Sequence, residues 1–432
     1  MLTSALDPPG AGSSLLAVAA DRSLRAWLHI HHYPPEFGGH GIQVQRSLPW
    51  LEAEGIRTRV LTVELPPALA CSSPADPAVD RLLARGSGPW PTLRRAARLR
   101  SCLRRTPPRL DVFHSIHPRF EVLANLPLMD RLGIAFVFEA TLLGANDPSA
   151  AARARLGGLR LRLLRRADAW IGLSHAFESR FAEAGMAVER CHVVPGGVDS
   201  SRYRPLHGEE RLATRRALDL PADARIAVSA GSLVPRKGMD RVVRAWARCA
   251  PRSGRDLLLL VGPSSAEDRL TPADLEHVEA LRRSITELEV ADSVRLVGRV
   301  DNLEDYLGAS DVFVFLSRQE GQGYVIVEAM ACGLPIIVSP LDGIASEMVD
   351  SGASGWITPD ADDADAVAAT LRRLLDDDSV RGRWGTAARG TALERFSMEA
   401  RAARLAEIYR RVVAERHHER PGRSSAILPE TS

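Results

Sequence analysis

A single lysine, Lys237, stands among 56 basic lysine and arginine side chains in this chain of 432 residues. It lies in residues 232–238, next to Arg236; the preceding apolar stretch 225–231 predicts a strand, and a helical pattern follows. In a confined place, a compact ammonium can approach a phosphate as a point charge, whereas the forked guanidinium of arginine is larger and planar. Connections of the type strand, glycine-bearing loop, helix are where α/β proteins bind phosphates. We therefore expect Lys237 to bind a phosphate; the alternative is chance survival of one lysine codon.

A second group of candidate residues lies in residues 317–335. The apolar stretch 312–316 predicts a strand, and Gly321 and Gly323 predict a loop that leads into a helix starting near Tyr324. Glycines let the backbone approach a ligand closely, and the start of a helix offers free N–H groups to an anion. This segment is therefore expected to be a second loop that binds an anion.

Two carboxylates belong to this segment, Glu320 in the loop and Glu328 in the helix. A carboxylate accepts two hydrogen bonds from a vicinal diol such as a ribose, and Glu320 can orient a sugar hydroxyl or a departing group. The alternative is that Glu320 is a surface loop acid and Glu328 a buried polar helix residue. An acid among apolar neighbours needs a partner, which favours a functional role for Glu328.

The elements that must position these residues alternate along the chain. Strands are predicted, with helices between them (42–54 is the first), at 25–31, 58–63, 112–114, 135–138, 169–173, 191–194, 226–230, 257–261, 294–297, 312–316 and 335–339. Alternation of this kind predicts parallel, doubly wound α/β sheets, and the pattern restarts near residue 205. We expect two Rossmann-like domains, 24–204 and 205–395, with a helix at about 396–415 packing back on the first. The acids at 360–365 are expected to cap the next helix. Residues 1–23 and 416–432 are expected to be tails, and the chain is expected to be disordered from about Glu415 onward.

Composition excludes several classes of protein. Apolar content of 45% and charged content of 25% are those of a soluble globular protein. No apolar run approaches the about 18 residues of a membrane-spanning helix, and no secretory signal is visible. The five cysteines form no CxxC pair or disulfide framework, which favours a reducing, cytoplasmic location.

Charge is distributed unevenly along the chain. Residues 1–200 hold 24 arginines against 18 acids, and much of this excess lies in two basic helical patterns, 93–105 and 153–166. The second carries an apolar stripe of leucines: Leu156, Leu159, Leu163 and Leu164. Such helices lie on anionic membrane surfaces or pack on a core with a solvated arginine face. Without aromatic residues between the arginines, they do not indicate nucleic acid binding.

The spacing of Glu320 and Glu328, with seven residues between them and the sequence Ala-Met-Ala-Cys-Gly-Leu-Pro after them, resembles a known signature. It resembles that of the GT-B retaining nucleotide-sugar glycosyltransferases of family 4. The resemblance covers about residues 25–415. Further segments that carry it are 33–41, 167–174, 194–199, 235–238 and 341–344.

The resemblance implies two Rossmann-like domains facing a cleft, with the acceptor on the first and the donor mainly on the second. It implies that Arg236 and Lys237 hold a diphosphate, that Glu320 contacts the donor sugar and that Glu328 holds the ribose. It also implies donor contacts from other positions: Gly38 and Gly39 to phosphate or acceptor, Arg299 and Val300 near the base, and backbone amides at Gly321, Gly323, Tyr324 and Val325. No Asp-x-Asp sequence or histidine cluster offers an obvious site for a divalent ion, so we expect no metal and no cofactor.

The chain departs from the family pattern at three places. Ser232 stands where an arginine is usual, and residues 138–148 lack a histidine that many members place against the donor sugar. His114, His117 or Asp147 could replace that histidine, or could be local hydrogen-bonding residues. Gly196 replaces an asparagine, which we take to be a small change.

The resemblance therefore implies a metal-independent hexosyltransferase that uses a UDP- or GDP-sugar. The acceptor would be a glycan, a lipid-linked sugar or a small molecule, as in polysaccharide biosynthesis, and a lipid-linked acceptor would involve the inner face of the membrane. The alternatives are a non-catalytic nucleotide-sugar-binding protein of this fold and a GT-B phosphorylase or epimerase.

Overall fold

The computed structural model describes residues 23–36, 38–65, 78–86, 88–105, 110–117, 119–268 and 270–418. The chain divides into two compact units. One takes in the described residues up to Gly172, then Phe177–Val194 and the described residues from Arg401 onward; the other takes in Leu173–Ala176 and Pro195–Ala400. Our expectations for residues 1–22 and for the tail beyond residue 418 lie outside the described residues.

The first unit is built on a parallel sheet with the strand order β3-β2-β1-β4-β5-β6-β7. Its strands are β1 Leu24–His29, β2 Ile56–Val63, β3 Val79–Leu83, β4 Val112–Ile116, β5 Ala135–Ala140, β6 Ala169–Gly172 and β7 Cys191–Val193. Its helices are α1 Gly39–Ala53, α2 Pro89–Arg105, α3 Phe120–Leu123, α4 Leu126–Leu132, α5 Pro148–Arg153, α6 Gly157–Leu164 and α7 Ala176–Glu183. Every residue of β4, β5 and β6 is buried, as expected for parallel strands covered on both faces.

The second unit is built on a parallel sheet with the order β10-β9-β8-β11-β12-β13. Its strands are β8 Arg225–Ala230, β9 Asp256–Val261, β10 Val294–Gly298, β11 Val312–Phe315, β12 Ile336–Val338 and β13 Gly355–Ile357. Its helices are α8 Gly208–Ala217, α9 Met239–Arg248, α10 Pro272–Glu287, α11 Leu303–Ala309, α12 Tyr324–Ala331, α13 Ala364–Asp376 and α14 Asp378–Arg395.

A last helix, α15 Met398–His418, belongs to the first unit from Arg401 onward. Leu405, Tyr409 and Val412 on this helix are buried in one core with the apolar residues of β1 and β4. The helix continues through residues 415–418, so our expectation of a disordered tail from Glu415 is wrong for these four residues.

The two doubly wound parallel sheets confirm the predicted fold class, with differences at the edges. The edge strands β3 and β13 were not predicted. The first has charged residues among its apolar ones, and the second is only three residues long. The basic pattern 153–166 is not one helix, because Leu156 adopts a left-handed conformation (φ 62°) between α5 and α6. The predicted cap of α13 is confirmed: the Asp363 side chain accepts a hydrogen bond from the Ala366 amide at 3.0 Å.

Each sheet has a point where the strand order reverses, between β1 and β4 in the first unit and between β8 and β11 in the second. In open α/β sheets, ligands bind outside the carboxyl ends of the strands at such a switch point. The loops that follow these four strands are therefore the places to look for functional side chains.

Candidate functional site

The two loops at the switch point of the second unit carry the two motifs that the sequence singled out. Lys237 lies in the loop after β8 and Glu320 in the loop after β11. The Lys237 ammonium donates a hydrogen bond to Glu320 Oε1 at 2.7 Å. Adjacent strands thus bring together two residues that are 83 positions apart in the chain.

Two further donors reach the same carboxylate oxygen. Arg236 Nη1 donates to Glu320 Oε1 at 2.9 Å, and the Ser317 hydroxyl donates to it at 2.8 Å. Arg236 Nη1 also donates to the Gln319 carbonyl at 2.6 Å. Two cations against one carboxylate leave a net charge of about +1 at this point, which suits an anionic ligand.

Burial shapes the electrostatics of this cluster. Lys237 and Glu320 expose only 14% and 8% of their side-chain surface. Burial lowers the pKa of Lys237, although the charge of Glu320 opposes that shift. Burial would raise the pKa of Glu320, but the charges of Lys237 and Arg236 outweigh it and lower that pKa. The Lys237 ammonium also lies 5.1 Å from the centre of the Phe315 ring, within cation–π range.

The loop carrying Lys237 depends on Gly238. This residue has φ 65° and follows a single 3₁₀ turn, Pro235–Lys237. A Cβ atom on Gly238 would lie 2.1 Å from the carbonyl oxygen of Leu316, in the other loop. Only glycine therefore allows the two loops to approach closely enough for the lysine to reach the carboxylate.

Three adjacent strands of the second unit end in glycines that the sequence analysis did not weigh. Gly231, Gly262 and Gly298 lie at the carboxyl ends of β8, β9 and β10, with φ of 144°, 146° and 85°. A Cβ atom on Gly262 would lie 2.1 Å from the Gly231 carbonyl oxygen. Each of these three apolar strands is followed by or ends in a glycine. This repeated pattern could have indicated from the sequence that the backbone at this edge of the sheet is open to close approach.

The loop that precedes α12 is held by hydrogen bonds to its backbone and side chains. The Ser174 hydroxyl donates to the Gly321 carbonyl at 3.1 Å. The Gln322 side chain accepts from the Gly196 amide at 2.5 Å and donates to the Gly196 carbonyl at 3.2 Å. Gly323 then caps the helix with φ 82°.

The helix α12 leaves one strip of its surface open. Tyr324, Val325 and Glu328 are half-buried, whereas most of the helix is buried. Positions i, i+1 and i+4 lie on one side of a helix. Glu328 is therefore not a fully buried core acid, and the three residues implied as donor contacts share one face.

Arg299 and Val300 directly follow β10, two strands away from β8. Arg299 is exposed, and its guanidinium lies 3.9 Å from the carboxylate of Asp301. These two residues lie on the same edge of the sheet as the Lys237–Glu320 pair.

In the first unit, Gly38 precedes α1 in an extended conformation and Gly39 is the first residue of that helix. The tight approach is at Gly41, which the sequence analysis did not weigh. A Cβ atom on Gly41 would lie 2.3 Å from the His32 carbonyl oxygen. This glycine lets α1 start close against the loop after β1.

The three candidates for the missing histidine differ in their surroundings. His114 is buried, with Nδ1 2.6 Å from the Tyr409 hydroxyl and Nε2 3.3 Å from Glu139. Asp147 is buried and caps α5, accepting hydrogen bonds from the Gly144 and Ala150 amides and the Ser149 hydroxyl. These contacts account for Asp147 without a ligand, whereas His114 Nε2 makes no hydrogen bond to any of the described residues.

His117 is different, because it lies in the loop after β4, at the switch point of the first unit. It adopts φ 86°, a conformation rare for a residue with a side chain. Its Nε2 lies 3.0 Å from the Thr141 hydroxyl, and its ring centre lies 5.7 Å from that of His40. Of the three candidates, His117 is the one in the loop directly after β4, at the switch point.

Comparisons with known proteins were made by family model, by sequence and by structure. The model "Glycosyltransferase Family 4" matches residues 37–202, and the model "Glycosyl transferases group 1" matches residues 210–391. Together these two models take in most of both units.

Among curated relatives, the D-inositol 3-phosphate glycosyltransferase of Kineococcus radiotolerans is 34% identical over 242 residues, covering 53% of each chain. The GDP-mannose-dependent alpha-(1-6)-phosphatidylinositol monomannoside mannosyltransferase of Mycolicibacterium smegmatis is 31% identical over 251 residues, covering 56% of this chain and 62% of its own. The chain thus spans about half the length of the curated relatives it matches.

Among solved structures, sucrose-phosphate synthase from Thermosynechococcus elongatus superimposes with a TM-score of 0.75 at 23% identity. The match covers 91% of this chain and all of that one, and it concerns the fold. From both family models and this shared architecture, the chain belongs to glycosyltransferase family 4, with the GT-B type of fold.

Proposed function

We propose that this chain is a retaining glycosyltransferase that moves a hexose from a nucleotide-diphosphate sugar to an acceptor hydroxyl without a metal ion. The observation that carries the proposal is the convergence of Lys237, Arg236 and Ser317 on Glu320 at the switch point of the second unit. Two cations in a mostly buried place are what a departing diphosphate requires.

The chemistry follows from this charge arrangement. The bond between the anomeric carbon and the diphosphate oxygen breaks, and both of its electrons go to the diphosphate. The acceptor oxygen attacks the anomeric carbon from the same face, and its proton passes to the departing phosphate oxygen. Lys237 and Arg236 stabilise the negative charge that develops there, so the step needs no protein nucleophile.

The contacts of Glu320 give this carboxylate two successive roles. Without a ligand, it neutralises part of the charge of Lys237 and Arg236. When the diphosphate binds, the two cations turn towards it, and Glu320 accepts a hydrogen bond from a hydroxyl of the donor sugar. The half-buried strip of α12 that includes Glu328 receives the ribose. The backbone beside Gly321 and Gly323 contacts the sugar and the phosphate, and Arg299 lies near the base.

The names of the relatives bear on the substrates. One relative is named as GDP-mannose-dependent, which supports a nucleotide sugar as the donor. The names also mention D-inositol 3-phosphate and phosphatidylinositol monomannoside, a phosphorylated polyol and a lipid-linked sugar. We propose a polyol or sugar hydroxyl, free or lipid-linked, as the acceptor.

Peripheral membrane contact is part of this proposal. The helix α2 exposes 75% of Trp90 and 52% of Leu93 beside the exposed arginines Arg94, Arg104 and Arg105. Exposed apolar residues with flanking cations suit a surface of anionic lipid. None of the helices in the described residues combines the length and the apolar character that spanning a bilayer requires.

A second candidate is a binding protein of the same fold without catalysis. It is favoured by the lack of a histidine in residues 138–148 and by the local hydrogen bonds that already satisfy Asp147. Hydrolysis of the donor in the absence of an acceptor separates the two candidates, because a binding protein would bind the nucleotide sugar and leave it intact.

The test of the proposal starts with thermal shifts for UDP, GDP, ADP and their sugars, since a ligand stabilises the fold according to its affinity. The nucleotide sugar with the largest shift is then assayed for hydrolysis and for transfer, with and without a chelator, and the product anomer is read by NMR. Lys237→Ala should lose activity, and Arg255→Ala, an exposed cation of the same unit, should keep it. Inversion at the anomeric carbon, or loss of transfer in chelator while circular dichroism shows the chain still folded, would contradict the proposed mechanism.

A further inference from the structure

A second cluster of functional side chains lies in the first unit, at its own switch point. His29 ends β1, His31 follows it, and Glu121 belongs to α3 after β4. One potential ligand atom from each of the three residues lies within 4.8 Å of the others. All three are buried, with exposures of 0%, 7% and 1%. The sequence does not reveal the cluster, because 90 positions separate His31 from Glu121.

The hydrogen bonds around His29 define which of its ring nitrogens carries the proton. The Ser115 hydroxyl donates its single hydrogen to the His117 carbonyl at 3.0 Å. With the Ser115 hydrogen on that carbonyl, the contact of 3.0 Å between His29 Nδ1 and Ser115 Oγ is made by the hydrogen of Nδ1. In this tautomer Nε2 carries a bare lone pair.

That lone pair has no hydrogen-bond partner among the described residues, although the atom is fully buried. A buried polar atom without a partner costs free energy, so such an atom needs an explanation. A histidine that donates from Nδ1 to an oxygen and presents a free Nε2 has the arrangement of a metal ligand with its outer partner.

The other two members of the cluster complete a set of donors. His31 Nε2 lies 2.6 Å from Glu121 Oε1. Arg95 Nε donates to the same oxygen at 3.2 Å, and its terminal nitrogens bond to the Ala84 and Gly86 carbonyls and to the Thr92 hydroxyl. Arg95 therefore orients the carboxylate in the way that outer partners orient metal ligands.

We propose that His29 Nε2, His31 Nε2 and the Glu121 carboxylate bind one divalent transition-metal ion of the zinc class. Two imidazoles and one carboxylate suit zinc and its neighbours, whereas magnesium and calcium prefer oxygen ligands alone. Binding through Nε2 requires the neutral His31 ring to carry its single proton on Nδ1, so the proton between His31 Nε2 and Glu121 moves to Nδ1 and the ion takes its place. Tetrahedral geometry at zinc distances then requires these two atoms to move to about 3.4 Å apart.

The site belongs to the first unit and the Lys237–Glu320 cluster to the second, and the proposed transfer step uses none of the three proposed metal ligands. Its ligands join the end of β1 to the helix after β4, so the bound ion stabilises the switch point of the first unit. Failure of this inference therefore leaves the proposed function untouched, and failure of the transfer chemistry leaves the metal site untouched.

The test uses the purified full chain, stripped with a chelator, loaded with zinc chloride, desalted and measured by elemental analysis. We expect one zinc per chain, and cobalt as a replacement should give the visible absorption of a tetrahedral site. Glu121→Gln and His31→Gln should each weaken zinc binding by more than about 100-fold. Ser115→Ala, which removes an outer partner, should weaken it by about 10–100-fold.

The matched control is His192→Gln, a buried histidine on β7, four strands from β1, which should keep the wild-type affinity. Circular dichroism must show that each variant is folded. If one of the two ligand variants does not fold, the other one tests the proposal. Stripped wild-type protein that is folded but takes up neither zinc nor cobalt would overturn the proposal. Unchanged zinc binding in both ligand variants would overturn it equally, because the ion would then lie elsewhere.

Discussion

The ring of Tyr324 lies in the space that a side chain on residue 196 would occupy. A Cβ atom on Gly196 would be 2.1 Å from Tyr324 Cε1 and 3.1 Å from Gln322 Oε1. Our expectation that glycine in place of the family's asparagine is a small change is therefore wrong. The start of α12 in this chain is packed against a position that must lack a side chain.

Replacing Gly196 by alanine or asparagine should destabilise the second unit by about 1–3 kcal/mol, because the added atoms overpack a filled space. Urea denaturation measures the loss, and Tyr324→Ala in the same chain should restore part of it. Gly390→Ala is the control, since a Cβ atom there meets nothing within 4 Å. Equal effects at the two glycines would contradict this account.

Lys237→Ala should reduce turnover by about 100-fold or more, the usual loss when one charge stabiliser is removed from a transition state. Lys237→Arg should be only partly active. The Lys237 side chain is mostly buried, with its ammonium 5.1 Å from the centre of the Phe315 ring, so a larger guanidinium has little room. Steady-state kinetics with the best donor provide the measurement. Full activity of Lys237→Arg would indicate that the only lysine survived by chance.

Glu328→Gln should weaken nucleotide binding by about 1–3 kcal/mol, because the amide accepts fewer hydrogen bonds from a ribose and carries no charge. Titration calorimetry with the preferred nucleotide measures the change. Glu279→Gln, an exposed acid on α10, is the matched control. If affinity is kept while the melting temperature falls strongly, Glu328 has a structural role.

Acid should destabilise the first unit through Glu139. Burial opposes the charge of this carboxylate, but Arg401 at 2.9 and 3.0 Å, together with His114, lowers its pKa from 4.5 to about 2. The unfolded chain therefore takes up the proton first as the pH falls. The stabilisation is complete above about pH 4.5 and disappears as the pH falls towards 2; at 1.36 kcal/mol per pKa unit, it amounts to about 3 kcal/mol.

Denaturation curves from pH 6 to pH 2.5 would measure this loss. Glu139→Gln should be less stable at neutral pH, because it leaves Arg401 buried without its partner. It should also show a smaller pH dependence over that window, because the side chain at this position no longer titrates. Glu407→Gln, an exposed acid on α15, should keep the wild-type pH dependence. A pH dependence that is unchanged in Glu139→Gln would show that other acids are responsible.

Membrane binding should depend on α2 and on salt. Sedimentation with anionic vesicles should fall in Trp90→Ala. It should also fall when Arg94, Arg104 and Arg105 are replaced by glutamine, because each arginine contributes about 1 kcal/mol near such a surface. Binding should also fall in high salt. Arg95, which the sequence pattern groups with its exposed neighbours, is 5% exposed and paired with Glu121, so its replacement tests folding instead. Equal recovery in the supernatant with and without anionic vesicles would exclude peripheral binding.

The sequence by itself determined the fold class and identified the two loops that carry the motifs. Alternating apolar strands and helices require parallel sheets, because a parallel connection needs a crossover helix. Lys237 and Glu320 each stand in a loop directly after a buried strand. Local patterns of this kind depend on neighbours in the chain, so they can be identified without the structure.

Tertiary structure alone decided which distant residues meet. Three features depend on residues that are far apart in the chain. They are the His29–His31–Glu121 cluster, the burial of Arg95, and the packing of Tyr324 against Gly196. No periodicity or spacing encodes such contacts, because they depend on strand order and on the packing of loops at the edge of a sheet. The edge strands β3 and β13 were missed for the same reason: a neighbouring strand, and not a strong apolar pattern, makes them strands.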